Sequence, residues 1–258
     1  MTSHLVVLGD RVIDSLAYVG GIFTLLGRIY AALPSLFKRF KLTIEQMSVI
    51  GVNSLPLVAF TSVFTGMVAS VQAMYQIAGK TPVIYLGYGV CKAVIIELGP
   101  VLTALVVAGR VGASIAAELG TMRVTEQIDA MESLALDPIE FLVLPRFVAA
   151  AIMLPVLVVF ADFVAIVGGG VVAVLTLRVE PQVYLDGLRL YFTMRDVFGG
   201  LLKSAVFGMI IATMGCYHGF TTGGGAEGVG RATTKAVVAS SLLILVCDYL
   251  VATTIFRT

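Results

Sequence analysis

Apolar residues fall in long blocks along this chain, broken by short polar intervals. The blocks cover about Met47–Ile77, Val83–Ala116, Phe141–Thr176, Val197–Tyr217 and Ala236–Phe256. A helix needs about 20 apolar residues to cross a hydrocarbon core of about 30 Å. Each block is long enough, so the pattern predicts five transmembrane helices. The first would measure roughly 45 Å at 1.5 Å per residue, so it must tilt, kink or protrude. Pro56 supplies a kink site within it, because its ring removes a backbone hydrogen bond. Pro100 and Pro155 offer similar sites in the second and third blocks, and Gly168–Gly169–Gly170 adds a flexible stretch. Residues 1–40 are different. Arg11, Asp14 and Arg28 interrupt the apolar run, which fits an amphipathic helix lying in the interface or dipping into one leaflet. This segment lacks the basic start and small-residue cleavage site of a signal peptide. The intervals read as a short loop at Ala78–Pro82, a polar and partly helical loop at Arg178–Arg195, and a Gly-rich loop at Gly219–Lys235. No repeat or linker divides residues 1–258, which read as one domain.

The longest polar interval, between the second and third blocks, has a periodicity of its own. Val124, Ile128, Met131 and Ala135 recur at helical spacing, while Thr125, Glu126, Gln127, Asp129, Glu132 and Ser133 fill the other face. That predicts a short amphipathic helix over 124–136. It carries three acids and no base. Such a helix fits a dock for a soluble partner with a basic groove. It equally fits a solvated loop helix.

Composition sharpens the class. The chain is 59% hydrophobic and 13% charged, with a mean hydropathy of +1.01. A soluble domain carries about 25% charged residues. This chain is therefore read as an all-α integral membrane protein. A net charge of +1 argues against a nucleic-acid partner. Cys91, Cys216 and Cys247 lie in apolar blocks and read as small core residues. His4 and His218 have no ligands at suitable spacing, so no metal site is expected. Tyr75, Tyr85, Tyr88, Tyr184 and Tyr217 lie near block ends, where an interfacial aromatic belt would fall. Positive charges set the orientation. Arg11, Arg28, Lys38, Arg39, Lys41, Arg110, Arg123, Arg146, Arg231 and Lys235 lie on one side, against Lys80, Arg178, Arg189, Arg195 and Arg257 on the other. The richer side, with the N-terminus and the acidic helix, is expected in the cytoplasm, and the C-terminus outside.

Few residues point to chemistry. Gly225–Gly230 has P-loop spacing, but Arg231 and Ala232 stand where Lys and Ser or Thr are required, and no strand precedes it. Three ionisable groups stand out within the apolar blocks: Glu97, Asp162 and Lys203. A charge at this depth costs about 2.5–3.5 kcal/mol on insertion scales, so such groups usually face a cavity or one another. Glu97 precedes Gly99–Pro100, where the helix can bend and free a carbonyl. Glu97 and Lys203 can pair at the outer half of a lipid-holding cavity, or each can stabilise helix packing separately. Asp162 reads as a packing residue. Met67, Val71, Met74, Tyr75 and Leu250 are candidates for an acyl-chain surface. A proton-driven secondary transporter using Glu97 and Asp162 is the alternative, though the inverted repeats of such folds are not visible. An intramembrane enzyme would need a nucleophile with its base, or a metal cluster, and neither is visible.

Three stretches carry a resemblance: Gly109–Pro138 (GRVGASIAAELGTMRVTEQIDAMESLALDP), Glu97–Arg110 (ELGPVLTALVVAGR) and Gly225–Ser241 (GAEGVGRATTKAVVASS). In this order they resemble the signature of the MlaE permease family, the membrane subunit of Mla-type ABC lipid transporters. The resemblance covers nearly the whole chain and is weakest at its start. It implies that the segment matching Val124–Leu136 is a coupling helix seated in an ATPase groove, with Arg123, Thr125, Glu126, Gln127, Ile128, Asp129, Met131, Glu132 and Asp137 at the contact. It implies a permease in a bacterial inner membrane that moves phospholipids between the inner and outer membranes and so maintains outer-membrane lipid asymmetry. It implies a homodimer, a MlaF-like ATPase that holds the ATP and Mg, a MlaD-like MCE-domain hexamer and a MlaB-like STAS-domain protein. No cofactor is expected on this chain. Many family members have a basic residue just before the glutamate matching Glu97. Here that residue is Ile96, and Lys92, one turn further out, is the candidate substitute.

Overall fold

The computed structural model describes residues 2–77, 79, 81–190 and 192–255, with side chains from 13 onward except 14, 15 and 255. The side chains of His4, Arg11 and Asp14, together with Lys80, Arg257 and the C-terminal end used in the orientation argument, lie outside the described residues. In order, the helices are α1 (Thr2–Ala32), α2 (Phe40–Ile50), α3 (Leu55–Ile77), α4 (Tyr85–Val124), α5 (Gln127–Ser133), α6 (Ile139–Leu175), α7 (Pro181–Arg189), α8 (Met194–Phe220) and α9 (Gly225–Ile255). No strand occurs among the described residues. Five stretches are long and apolar enough to cross a membrane: Leu16–Ile77, α4, α6, α8 and Gly225–Thr254. The protein is an all-α, multi-pass membrane protein.

Three elements differ from the sequence expectation, each for a local reason. The first block is not one helix kinked at Pro56. It breaks at Val52–Ser54, a short 3-10 turn, and Pro56 sits in the first turn of α3. There its missing N–H costs nothing, because first-turn N–H groups have no intrahelical partner. The expected Gly-rich loop over 219–235 shrinks to Thr221–Gly224. Gly224 and Gly225 adopt left-handed φ angles of 84° and 67° to make the turn, and α9 starts at once. Ala232 and Ala236 are buried, so packing overrides the poor helix propensity of the glycines. The expected single helix over 124–136 is also broken. α4 runs on to Val124, the chain turns at Thr125–Glu126, and α5 spans only Gln127–Ser133. Glu126 carries the turn at a left-handed φ of 59°, which is costly for a residue with a side chain.

Helix α8 is the hub. Gly199, Gly200, Ser204, Gly208, Gly215 and Gly219 are all buried along it, and α4, α6 and α9 pack around it. A Cβ at Gly208 would collide with the Ala150 carbonyl of α6. A second close pair joins α3 to α6. Ser62, Gly66 and Ser70 are buried on α3, facing Ala165, Gly168 and Gly169 of α6. Small residues at four-residue spacing let backbones approach, which matters because lipid gives apolar helices no hydrophobic reason to associate. The described side chains of helix α1 meet the connector end of this bundle. Tyr18 meets Tyr217 and His218, while Tyr30 meets Phe147. It therefore lies across the ends of α8 and α6. Arg39 stacks on Phe141 at 3.6 Å at the same end. At the opposite end, α7 packs against the start of α4 through Gly87 and Gly187. Burial pushes the Tyr184 hydroxyl of α7 up to about 12, and it donates to the Ile166 carbonyl at 3.0 Å.

The α3–α6 contact yields a direct test. Gly66→Val should lower thermal stability in detergent by about 1–3 kcal/mol or more, as overpacking does. Gly230→Ala, where a Cβ meets nothing within 4 Å, should be neutral or slightly stabilising. Equal melting of the two variants would remove close backbone approach as the basis of this contact.

Candidate functional site

The site begins with a missing hydrogen bond. Pro100 has no N–H, so the carbonyl of Ile96, four residues earlier, loses its helical donor. The turn just before it, Val94–Leu98, is wound as a π-helix, a form that often marks functional positions. Lys203 of α8 reaches this break. Its Nζ lies 3.3 Å from the Ile96 carbonyl, 2.9 Å from Glu97 Oε2 and 2.9 Å from Asp248 Oδ1 of α9. The ammonium donates hydrogen bonds to the Ile96 carbonyl and to Glu97, and Asp248 adds an ion-pair contact. The Lys203 side chain is fully buried, whereas that of Glu97 is 43% exposed and that of Asp248 20%. One cation between two carboxylates leaves a formal charge of −1 at the surface of the cluster. Glu97 and Lys203 are thus brought together. Asp248 joins them unforeseen, although it lies in the fifth apolar block as plainly as Glu97 lies in the second.

Asp162 stands apart from this cluster. Its Oδ1 is buried against Gly99, in the space a Cβ would fill, with no hydrogen-bond partner. Lys92 is engaged elsewhere, in a close ion pair with Asp196 at the start of α8, and is not beside Glu97. An apolar groove of about 660 Å³ runs between α3 and α4. Phe60, Phe64 and Val68 form one wall, and Leu98, Leu102 and Val106 the other. Leu98 joins it to the Glu97 turn. Met67, Val71, Met74, Tyr75 and Leu250 do not line it. Met74 packs into a core cluster with Leu86 and Val90, and Val71, Tyr75 and Leu250 face outward. The stripe Phe60–Phe64–Val68 has four-residue spacing, but sequence alone does not distinguish a groove wall from a lipid-facing surface.

The connector is held by its own polar contacts. Arg123 and Asp129 form a close ion pair across the corner, and Gln127 donates to Thr125 Oγ1 at 3.0 Å. Ile128 is buried and Met131 half-buried, which anchors α5 to the bundle. Glu126 and Glu132 are left exposed. Asp137 accepts the Ile139 N–H at 3.0 Å and pairs with Arg28 of α1 at 3.2 Å. Behind the corner, buried Arg146 of α6 pairs with Glu118 of α4 at 3.0 Å and donates to the Leu142 carbonyl at 2.7 Å. This second link between spans was not foreseen, since Arg146 entered the sequence argument only as a positive charge.

Residues Gly225–Gly230 form the first turns of α9 and make no phosphate loop. Membrane-crossing helices around a charged cluster, with an exposed connector at one end, define a membrane permease. The comparisons specify which kind. The family described as Permease MlaE matches residues 43–254. A probable ABC transporter permease protein of Rickettsia prowazekii is 45% identical over 92% of both chains. The intermembrane phospholipid transport system permease protein MlaE of Haemophilus influenzae is 33% identical over 96% of both. The chloroplastic protein TRIGALACTOSYLDIACYLGLYCEROL 1 of Arabidopsis thaliana is 35% identical over 83% of this chain and 61% of its own length. The chain belongs to the MlaE permease family and is an ABC transporter permease, a transport subunit. That membership overturns the proton-driven alternative built on Glu97 and Asp162, because ABC permeases draw on ATP.

The cluster makes a stability prediction. Lys203→Met strands two carboxylates, and breaking a buried pair costs about 3–5 kcal/mol. Adding Asp248→Asn should recover part of that loss in detergent melting. A double variant less stable than Lys203→Met alone would mean that Asp248 is held by something other than Lys203.

Proposed function

We propose that this chain is the permease subunit of an ABC transporter that moves phospholipids between the inner and outer membranes and so maintains outer-membrane lipid asymmetry. The observation that carries this reading is its 33% identity to a phospholipid-transport permease over 96% of both chains. The geometry supports it. The Glu97–Lys203 pair offers polar contacts for a headgroup, and the groove between α3 and α4 offers an apolar wall for acyl chains. The working unit is a homodimer in a bacterial inner membrane, with the N-terminus and connector cytoplasmic and the C-terminus periplasmic. Its partners are a MlaF-like ATPase that supplies ATP and Mg, a MlaD-like MCE-domain hexamer and a MlaB-like STAS-domain protein. Helix α5 and its flanks are the coupling element. Arg123 and Asp129 fix the corner, while Glu126 and Glu132 meet the ATPase groove, with Met131 at its apolar edge.

Docking through exposed acids predicts a charge-sensitive interface. Truncating one partner of a desolvated charge pair costs about 2–5 kcal/mol, and reversing its sign costs more. Glu126→Lys should abolish co-purification of the ATPase while the permease still inserts in the membrane. Normal recovery of the ATPase with that variant would remove the coupling role of this corner.

A further inference from the structure

The connector end of the bundle holds a second groove, distant from the Glu97–Lys203 cluster. It lies between α1, α8 and α9 and has a volume of about 650 Å³, within the range of about 300–1,000 Å³ usual for ligand sites. Its rim is polar. Tyr18 Oη of α1 lies 3.1 Å from Nε2 of the buried His218 ring, which fixes that edge. Thr234 and Lys235 of α9 form the opposite edge. Lys235 is exposed and has no acidic partner among the described residues. Its wall is apolar. Val238 and Leu242 follow Lys235 along one face of α9 and are 52% and 60% exposed.

We propose that this groove binds one phospholipid with an anionic headgroup, drawn from the leaflet on the connector side. The phosphate sits at Lys235, and one acyl chain lies along Val238 and Leu242. Three observations favour this occupant. Lys235 stands immediately before the long apolar run of α9, which starts at Ala236. The apolar wall continues into the membrane through Val246 and Tyr249, which are 56% and 69% exposed, so the site suits a chain-bearing ligand more than a soluble anion. A second copy or a partner helix seated over the groove would bury an unpaired ammonium, which is costly. An anionic lipid neutralises it. The inference goes beyond the transport reading and does not depend on which lipid is carried.

The chain contains no tryptophan, so Val246→Trp provides a single reporter at the foot of the groove. The full chain is reconstituted in liposomes with brominated phosphatidylglycerol or brominated phosphatidylcholine, and tryptophan quenching gives their relative association. We expect about a five-fold preference for phosphatidylglycerol, the gain from one basic group near an anionic lipid. Lys235→Gln should abolish the preference, and Lys235→Arg should keep it. Val156→Trp, on an outward face of α6, should show no preference. Equal quenching by both lipids, a preference that survives Lys235→Gln, or no quenching by either lipid would overturn the proposal. The last of these would mean that protein covers the groove. Lipid residence is read without any transport assay, so failure here leaves the transport reading standing.

Discussion

A single ammonium, that of Lys203, sits at the centre of the bundle with no exposure. A charge there needs polar company, and three oxygens lie within reach of it. One comes from Ile96, freed by Pro100, and the others come from Glu97 and Asp248. This arrangement links three membrane-crossing helices, α4, α8 and α9, at one point. It also requires that point to be polar, so an opening beside it can receive a headgroup. The break in α4 at the π turn and Gly99–Pro100 is therefore part of the charge arrangement. Helix bending and charge burial are two aspects of one constraint.

Around that point the bundle is held by close backbone contact. The small residues of α8 and the Ser62–Gly66–Ser70 stripe of α3 bring carbonyls and Cα atoms together where larger residues would separate them. Ion pairs tie down the connector end, Arg146 to Glu118 and Arg123 to Asp129. A motion imposed on α5 would thus pass to α4 through the corner and to α6 through Arg146. This mechanical path gives the proposed coupling its physical content.

Much of this was legible from the residues. Block length and charge depletion gave the five crossings, and the intramembrane positions of Glu97 and Lys203 led to the pair. The same criterion applies to Asp248, which lies within the fifth apolar block. Other features were not legible. The break at Val52–Ser54, the early start of α9 and the turn at Glu126 depend on tertiary packing that overrides local propensity. A helix buried on one side and facing lipid on the other is apolar all round. Periodicity cannot then identify the groove wall, which the structure assigns to Phe60, Phe64 and Val68. The Lys92–Asp196 pair joins residues more than a hundred positions apart, a contact that local spacing cannot reveal.

If the Glu97–Lys203 pair meets the headgroup as proposed, the two residues act as one unit in transport. A double-mutant cycle tests it most directly, with lipid transport by the intact complex measured for Glu97→Ala, Lys203→Ala and the double variant at matched protein level. Coupled residues are non-additive. Each single change should impair transport, and the double variant should be no worse than the more impaired single. Strictly additive losses, or wild-type transport by either single variant, would contradict it.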